Sequence, residues 1–306
     1  MSNNNEVAGL YSVIEESSRL AGITCARDKV WPILTAYGDA LAQAVVAFRV
    51  ATGERNAKDF DCRFTMLPKS MDPYAVALSN GLTVKTDHPV GSLLEELHRE
   101  FPVESSGIDF GVVGGFKKTW SFFPTDALQS LSDLVRLESL PAAVAGNLDF
   151  FTRYGLADKV SLVGIDYPSR SVNLYFGAAP EENFRAEGIT SILRDAGLPA
   201  PSDRLIRLGT RAFGIYATLT WDSPKVERIT IAAMTPDPTT LPVRIEPKIE
   251  HYVKNAPYST DDRQFVYAIT SSPKGEYHKL QSYYKWQSRV ENVLLVSDDV
   301  RPHAAK

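Results

Sequence analysis

Short stretches of alternating apolar and polar residues recur along the chain, and each pair of them follows segments with helical spacing. The first pair, Ala44–Thr52 and Asp61–Leu67, predicts two strands, because alternation places successive side chains on opposite faces of a sheet. Before it, Val7–Ala21 and Arg27–Leu41 predict helices, the second with Pro32 near its start. The remaining predicted helices are Asp72–Asn80, Val90–Glu100, Ala127–Leu137, Pro141–Tyr154, Glu181–Ala196 and Leu241–Asn255. The remaining predicted strand pairs are Gly107–Val113 with Phe116–Phe123, Val160–Tyr167 with Ser171–Gly177, Arg211–Thr220 with Val226–Met234, and Arg263–Ser271 with Tyr277–Trp286.

A polar residue recurs in the second strand of each predicted pair. These residues are Arg63, Lys118, Asn173, Arg228 and Lys279. Their spacing of about 50 to 55 residues indicates five repeats of the unit helix, helix, strand, strand. Five hairpins predict a closed ring of about ten antiparallel strands with helices outside, because closure removes exposed strand edges. Such a ring has room for a ligand, since about eight strands are just filled by side chains. The predicted fold class is therefore α+β, a single barrel domain over residues 1–306.

The stretch Gly114–Asp126 indicates what the lumen of this barrel contains. Residues two apart share one face of a strand, so Lys118 and Trp120 are predicted to point the same way, together with Phe116 and Phe122. A lysine among aromatic side chains is typical of a site that holds an anion beside an apolar wall.

Facing one lumen, the five repeated residues would supply four cations and one amide, and Arg49 in the first strand would add a guanidinium. Buried unpaired cations are costly, so this set predicts a polyanionic ligand, and a diphosphate fits the number of charges and donors. Trp120, Tyr175, Tyr216 and Tyr283 are further lumen candidates, and their ring faces could stabilise a cation.

Composition excludes several classes of function. The net charge of −4 over 306 residues disfavours nucleic-acid binding through a basic surface. Cys25 and Cys62 lack metal-ligand spacing and are predicted to be reduced thiols of a cytoplasmic protein. Neither a signal peptide nor an apolar run of about 18 residues is found, so no membrane association is expected. Val300–Lys306 is expected to be a frayed tail.

Signatures of other enzyme classes are missing. The chain has no GxGxxG, GxxxxGK[ST], HExxH or CxxC motif, and nothing supports a Ser-His-Asp triad. The acidic pairs Asp261-Asp262 and Asp298-Asp299 do not extend into a DDxxD pattern of the kind that binds a magnesium diphosphate. The histidines are scattered along the sequence and form no ligand cluster. They are His88, His98, His251, His278 and His303.

Four motifs carry a resemblance to a known family. They are GGFKKTWSFFPTD (Gly114–Asp126), VNLYF (Val172–Phe176), AFGIYATLTWDSPKVER (Ala212–Arg228) and SPKGEYHKLQSYY (Ser272–Tyr284). With these motifs at the family's spacing, the chain resembles the bacterial soluble aromatic prenyltransferases of the ABBA type, whose fold is the PT barrel. The resemblance extends from near Tyr11 to about Trp286.

The resemblance implies roles for particular residues. The family's prenyl-diphosphate cradle falls on Lys118, Asn173, Arg228 and Lys279, with Tyr216 as a hydroxyl donor. Tyr175 falls on the wall that contacts the prenyl chain, and Trp120 lines the acceptor pocket where some members have Tyr. Other acceptor or prenyl pocket positions fall on Ser161, Leu162, Phe213, Gly214, Val266, Gln281 and Tyr283.

One departure from the family concerns the metal. Magnesium-dependent members ligate the ion with an aspartate matching Asp61, helped by a small hydroxyl residue two positions on. Here that second position is Arg63, and Arg49 also stands where the metal-dependent type has a small residue. Both arginines are therefore assigned to diphosphate binding, and the resemblance implies a magnesium-independent enzyme without a cofactor. Asp61 would pair with an arginine, and Asp109, elsewhere an indirect partner of the metal, would lose that role.

The resemblance also implies the reaction, a Friedel-Crafts-type C-alkylation that moves a dimethylallyl group from dimethylallyl diphosphate to a small aromatic acceptor. MDPYAVALSNGL and TDHPVGSLLEE look most like the phenazine and naphthoquinone members, which favours a dihydrophenazine carboxylate as the acceptor. The alternatives are geranyl or dimethylallyl transfer to a dihydroxynaphthalene or flaviolin-type acceptor, and an isoprenoid-binding barrel without turnover. The catalytic base is not identified, and a monomer is expected because a closed barrel has no edge to share.

Overall fold

Ten antiparallel strands form a closed barrel at the centre of the molecule. The computed structural model describes residues 2–53, 58–258 and 264–285, with side chains from residue 5. In chain order the strands are β1 (Val45–Ala51), β2 (Asp61–Leu67), β3 (Ser105–Gly111), β4 (Gly115–Phe122), β5 (Val160–Asp166), β6 (Ser171–Phe176), β7 (Gly214–Thr220), β8 (Arg228–Thr235), β9 (Phe265–Ser272) and β10 (Gly275–Lys285). Each strand pairs with its neighbours in sequence, and β1 pairs with β10 to close the ring. The predicted PT-barrel architecture is confirmed.

Helices cover the outside of the barrel. They are α1 (Ser2–Leu20), α2 (Arg27–Ala36), α3 (Gly38–Leu41), α4 (Pro73–Ser79), α5 (Leu93–Glu100), α6 (Leu131–Leu134), α7 (Ala142–Gly146), α8 (Leu148–Arg153), α9 (Ala186–Asp195), α10 (Asp203–Gly209) and α11 (Pro247–Asn255). Short 3₁₀ segments are Pro89–Gly91, Glu181–Phe184 and Pro238–Thr240. The main apolar core lies between these helices and the outward strand faces, where Phe48, Phe110 and Leu174 are fully buried. This core fixes the barrel from outside and leaves the inward faces to form the site.

Several predicted helices differ in extent from those observed. The segment Arg27–Leu41 is two helices that meet at Tyr37, and Pro32 lies in the middle of α2 rather than near its start. Only Leu131–Leu134 of the predicted helix Ala127–Leu137 is helical. The sequence prediction missed α10, which begins after Ser202, whose side chain accepts a hydrogen bond from the backbone N–H of Leu205.

A β-bulge at Lys117 overturns the predicted orientation of Phe116. Asp109 pairs with Lys118 but the next residue of β3, Phe110, pairs with Phe116, so Lys117 is the extra residue on β4. The bulge shifts the alternation of β4 by one residue. Phe116 therefore packs in the outer core, with its ring centroid 5.8 Å from that of Tyr167, whereas Lys117 joins Lys118 at the lumen.

Some sequence predictions lie outside the described residues. These are the acidic pairs Asp261-Asp262 and Asp298-Asp299, the strand ends at Arg263 and Trp286, His303, and the tail Val300–Lys306. Among the residues that are described, no helix combines the length and the apolar character needed to cross a bilayer.

Candidate active site

The inward faces of the strands enclose two connected chambers. The outer chamber lies at the end of the barrel that carries the β5–β6 turn, and the inner chamber lies deeper along the lumen. Residues that line only the outer chamber include Asp61, Lys117, Lys118, Asp166, Asn173, Thr218, Arg228 and Tyr277. Residues that line only the inner chamber include Arg63, Thr65, Trp120, Phe122, Leu162, Val266, Gln281 and Tyr283. Arg49, Tyr175, Tyr216, Thr230 and Lys279 line both.

Lys118 is held in the outer chamber by a carboxylate on the neighbouring strand. Asp166 is its direct partner across β4 and β5, and the Lys118 Nζ lies 2.9 Å from the Asp166 Oδ2. Burial favours the neutral acid, but the charge of Lys118 outweighs it, with further help from the Ser169 N–H, and lowers the pKa of Asp166 to about 2. The lysine is therefore oriented before any ligand arrives.

Asn173 presents an unused donor to the outer chamber. Its side chain is 8% exposed, and its Oδ1 accepts a hydrogen bond of 2.8 Å from the Thr218 hydroxyl. Its amide nitrogen has no hydrogen-bond partner among the described residues. A buried N–H group without a partner costs roughly 1–3 kcal/mol, so this amide indicates that a ligand accepts from it.

Each carboxylate oxygen of Asp61 contacts a positively charged side chain. The Arg49 guanidinium donates to Oδ2, and the Lys117 Nζ lies 2.6 Å from Oδ1. Lys117 also contacts Asp59 at 2.7 Å, whose carboxylate accepts from the backbone N–H groups of Val113 and Gly114 in the β3–β4 turn. Burial opposes ionisation of Asp61, but Arg49 and Lys117 outweigh it and hold its pKa below the ordinary value. The expected pairing of Asp61 with an arginine is confirmed, and a lysine joins it.

A second network crosses the inner chamber. Arg63 donates to both oxygens of Asp109, from Nε at 2.7 Å and from Nη2 at 3.0 Å, and its Nη1 donates to the Gln281 Oε1 at 2.7 Å. Because a guanidinium only donates, the amide oxygen of Gln281 must face Arg63. The amide nitrogen then faces Tyr283 and donates to its hydroxyl oxygen at 2.5 Å. The charge pair thereby fixes the orientation of two residues of the predicted acceptor pocket.

Trp120 is fixed on the wall of the inner chamber by contacts on several sides. It is 1% exposed, its Nε1 donates to the Asp109 Oδ1 at 2.9 Å, and the Arg63 guanidinium carbon lies 4.2 Å from the centroid of its ring. Its neighbour on β5 is Gly164. A Cβ at that glycine would lie 2.4 Å from the Trp120 Cζ3. The indole therefore occupies the space that any other residue at position 164 would fill.

Tyrosines continue the aromatic lining toward the outer chamber. The Tyr175 ring centroid lies 5.1 Å from that of Trp120 and 4.1 Å from that of Tyr216. Burial raises the pKa of Tyr175 and of Tyr283 to about 12 and that of Tyr216 well above its ordinary value. All three hydroxyls are therefore neutral near pH 7. A Cβ at Gly214 would approach the Tyr216 ring to 2.9 Å, so this glycine makes room for the tyrosine.

Most of the predicted site residues are brought together in these chambers. Of the predicted pocket residues, Ser161 and Phe213 line neither chamber. Ser161 donates to the Tyr175 carbonyl at 3.1 Å, and Phe213 bonds through its backbone to Ala232. Their pocket roles stay predictions. Gly214 also lines neither chamber, and its pocket role likewise stays a prediction.

Sequence reasoning missed Lys117, Asp166 and Gly164. Lys117 was assigned to the opposite face because the bulge is not visible in the alternation of β4. Asp166 and Gly164 lie beside Lys118 and Trp120 through the observed register of β4 and β5, which the alternation of either strand alone does not show. Within the described ranges, no three His, Cys, Asp or Glu side chains are gathered as metal ligands would be.

The two chambers divide the chemistry between them. The outer chamber offers oriented cations and an amide donor to a polyanion, and the adjoining inner chamber offers ring faces to an apolar group or a cation. This division is what a prenyl diphosphate beside an aromatic acceptor requires, and it assigns the chain to the PT-barrel prenyltransferases.

Comparison with known proteins gives the family. Residues 5–294 match the family model described as aromatic prenyltransferase Orf2, and the chain belongs to this family, as its motifs had indicated. It is 61% identical to the 5,10-dihydrophenazine-1-carboxylate 9-dimethylallyltransferase of Streptomyces anulatus, over 96% of this chain and 98% of that protein. It is 52% identical to the furaquinocin biosynthesis prenyltransferase of Streptomyces sp. (strain KO-3988), over 92% of each chain. It is 48% identical to the flaviolin linalyltransferase of Streptomyces virginiae, over 94% of this chain and 95% of that protein.

Proposed function

We propose that the enzyme transfers a dimethylallyl group from dimethylallyl diphosphate to a dihydrophenazine carboxylate, by C-alkylation and without a metal. According to its name, the relative with 61% identity transfers a dimethylallyl group to such an acceptor. The similarity between the two proteins covers nearly all of both chains. The observation that carries the donor assignment is the outer chamber, which Lys118 and Arg228 line together with Asn173, whose amide nitrogen has no hydrogen-bond partner among the described residues. A diphosphate matches both the charge and the missing hydrogen bond.

Saturation of the carboxylates by cations supports a metal-independent reaction. A magnesium ion is bound by carboxylate oxygens in near-ideal octahedral geometry. Both oxygens of Asp61 already accept from Arg49 and Lys117, and both oxygens of Asp109 accept from Arg63. These aspartates therefore do not fit a metal site, and the guanidinium and ammonium groups supply the positive charge instead.

In the proposed mechanism the outer chamber stabilises the charge that develops on the departing diphosphate as the allylic C–O bond ionises. Preoriented cations and the neutral Tyr216 hydroxyl act without reorganisation at that moment. Trp120 and Tyr175 shield the allyl cation with their ring faces and hold the acceptor ring within attack distance. An aromatic carbon of the acceptor forms the new C–C bond, and the ring then loses a proton.

No lumen carboxylate suits the removal of that proton. Asp61, Asp109 and Asp166 are all paired with cations, and their pKa values are lowered although burial acts in the opposite direction. Each is therefore a weak base near pH 7. Within the proposal, the departing diphosphate accepts the proton.

A second acceptor class is favoured by other relatives. The furaquinocin and flaviolin enzymes, with 52% and 48% identity, support the alternative of geranyl or dimethylallyl transfer to a dihydroxynaphthalene or flaviolin-type acceptor. Incubation with each donor and a panel of both acceptor classes decides between them by the mass of one added prenyl unit. Product from the naphthalene acceptors alone would refute the phenazine assignment.

The donor site is tested by Lys118→Ala and Arg228→Ala. Each removes a cation from the outer chamber and should lower kcat by about 10²–10³-fold, by analogy with the loss of one oxyanion-hole donor, while the protein stays folded. Lys85→Ala is the control, because Lys85 is an exposed lysine that lines neither chamber. Near-native kinetics in either chamber variant would refute the cradle. Binding of the diphosphate without product or free diphosphate would instead favour the isoprenoid-binding barrel.

The metal assignment has its own test. Turnover should be unchanged in excess EDTA, because protein cations supply the charge. Loss of activity in EDTA with recovery on adding magnesium would refute it.

The monomeric state and the cytoplasmic location also stay proposals. A closed barrel leaves no strand edge for a partner, and both described cysteines, Cys25 and Cys62, are free thiols, as suits a reducing compartment. Light scattering on the purified protein should give a mass near 33.8 kDa, and a mass twice as large would refute the monomer.

A further inference from the structure

The lumen cations differ in whether a carboxylate neutralises them. Arg49 and Lys117 share Asp61, Arg63 pairs with Asp109, and Lys118 pairs with Asp166. Lys279 lines both chambers, yet it forms no ion pair within the described residues. The contact that its Nζ makes is with the ring of Tyr277, 5.4 Å from the centroid.

The strand register explains why Lys279 lacks an acid. Its partners are Ala51 on β1 and Ala268 on β9, so neither adjacent strand places a carboxylate beside it. On its own strand the lumen neighbours are Tyr277 and Gln281. The position of Lys279 on β10 therefore separates this lysine from the acidic side chains of the adjacent strands.

The other lumen groups around Lys279 are cations or neutral donors. The remaining elements place Arg49 (β1), Arg63 (β2), Lys118 (β4), Tyr175 (β6), Tyr216 (β7), Arg228 and Thr230 (β8) and Thr270 (β9) toward it or on the same lining. The three lumen acids, Asp61, Asp109 and Asp166, are each bound by another cation. Burial, followed by repulsion from Arg49, Arg228, Lys118 and Arg63, lowers the pKa of Lys279 well below its ordinary value. Lys279 therefore holds its proton less tightly than an ordinary lysine does.

We propose that Lys279, which has cations but no carboxylate beside it, gains protonation when the diphosphate of the donor binds, so that donor binding takes up a proton from solvent. The inference rests on the proposed function, since it needs a polyanion in the outer chamber. A bound diphosphate reverses the sign of the local field and favours the charged ammonium. The proton returns to solvent when the diphosphate leaves, so the cycle is balanced.

This coupling has a defined effect on affinity. If binding takes up a proton, the affinity for the donor falls as pH rises above the pKa of Lys279 in the free enzyme. The dissociation constant should rise by up to about tenfold per pH unit in that range.

Calorimetry with dimethylallyl S-thiolodiphosphate, a donor analogue that ionises slowly, tests the proposal. Titrations at about pH 8, where its diphosphate is fully ionised, are run in buffers of different ionisation enthalpy, and the slope of observed enthalpy against buffer enthalpy gives the protons taken up. The wild type should take up a measurable fraction of a proton per site, with one proton as the upper limit. Lys279→Arg keeps the charge at all accessible pH values and should bind the analogue with no uptake. Lys117→Met, which removes a lysine that is paired with Asp59 and Asp61, should bind more weakly but keep the uptake.

Each other outcome overturns a specific claim. Binding by the wild type without proton uptake, or uptake unchanged in Lys279→Arg, refutes the role of Lys279 and leaves the donor site intact. Absence of any analogue binding in the folded wild type refutes the donor assignment and the proposal with it.

Discussion

We predict that Gly164 is as important to the site as Trp120, the aromatic residue that lies over it. Replacing it with alanine would place a methyl carbon 2.4 Å from Cζ3, 2.7 Å from Cε3 and 3.0 Å from Cη2 of Trp120. Ordinary contact between such carbons is about 3.5 Å or more. The indole must therefore retreat by about 1 Å into the inner chamber.

The surroundings of Trp120 make that retreat costly. A shift of about 1 Å would stretch the 2.9 Å bond from its Nε1 to Asp109 beyond hydrogen-bonding distance, which costs roughly 1.5–3 kcal/mol for a charged acceptor. Overpacking adds roughly 1–3 kcal/mol. Gly164→Ala should lower Tm by roughly 5–15 °C for a chain of this size. It should also lower kcat/KM for the acceptor by about 10²-fold, because the displaced ring occupies acceptor space.

Thermal unfolding and steady-state kinetics on matched variants check this reasoning. Gly146→Ala, at a position where an added methyl group meets nothing within 4 Å, should leave both measurements unchanged. In a Trp120→Leu background the cost of Gly164→Ala should largely disappear, giving a coupling energy close to that cost, roughly 2.5–6 kcal/mol. A Gly164→Ala protein with wild-type Tm and acceptor kinetics would show that the indole is free to turn, and the proposed wall would be wrong.

Two further predictions concern pH and the acceptor. The pKa of Asp166 is lowered from 3.8 to about 2, since Lys118 outweighs the opposing effect of burial, so its contribution of roughly 2–3 kcal/mol is complete above about pH 4 and is lost as pH falls toward 2. Asp166→Asn should therefore flatten the acid side of a plot of Tm against pH, and an unchanged plot would contradict the pairing. Gln281→Leu removes the amide between Arg63 and Tyr283 and should raise KM for the acceptor about tenfold with KM for the donor unchanged, whereas Gln281→Glu, which still accepts from Arg63, should recover part of the loss. A change confined to KM for the donor would contradict the placement of Gln281 in the acceptor pocket.

The architecture was predictable because the repeat appears in both period and chemistry. The recurrence of Arg63, Lys118, Asn173, Arg228 and Lys279 indicated five equivalent hairpins, and closure followed from the cost of free strand edges. The helices were less predictable, since short segments such as α6 and α10 depend on caps and on packing against the barrel rather than on a long periodic pattern. The observed strand ends lie within about three residues of the predicted ends.

The site was predictable where alternation is regular and failed where it is not. Lys118 and Trp120 were correctly placed on one lumen face, but Phe116 and Lys117 were exchanged because one bulged residue inverts the side-chain pattern beyond it. Partnerships were also hidden, since a single sequence does not show that Asp109 contacts both Arg63 and Trp120. Those contacts depend on the three-dimensional register of β2, β3 and β4.

Charge placement along the lumen gives a physical reason for the two chambers. In the inner chamber the Arg63–Asp109 pair is close to neutral, so it would add little repulsion to the allyl cation that the proposed mechanism places against Trp120 and Tyr175. In the outer chamber the cations exceed the acids, and a charged Lys279 would increase that excess once the donor is bound. In the proposed mechanism, the developing diphosphate would therefore be stabilised on one side of the breaking C–O bond while the carbocation is tolerated on the other, which would lower the barrier to ionisation. An inner chamber with an unpaired arginine would oppose the same step, so Asp109→Asn should slow ionisation even with Arg63 in place.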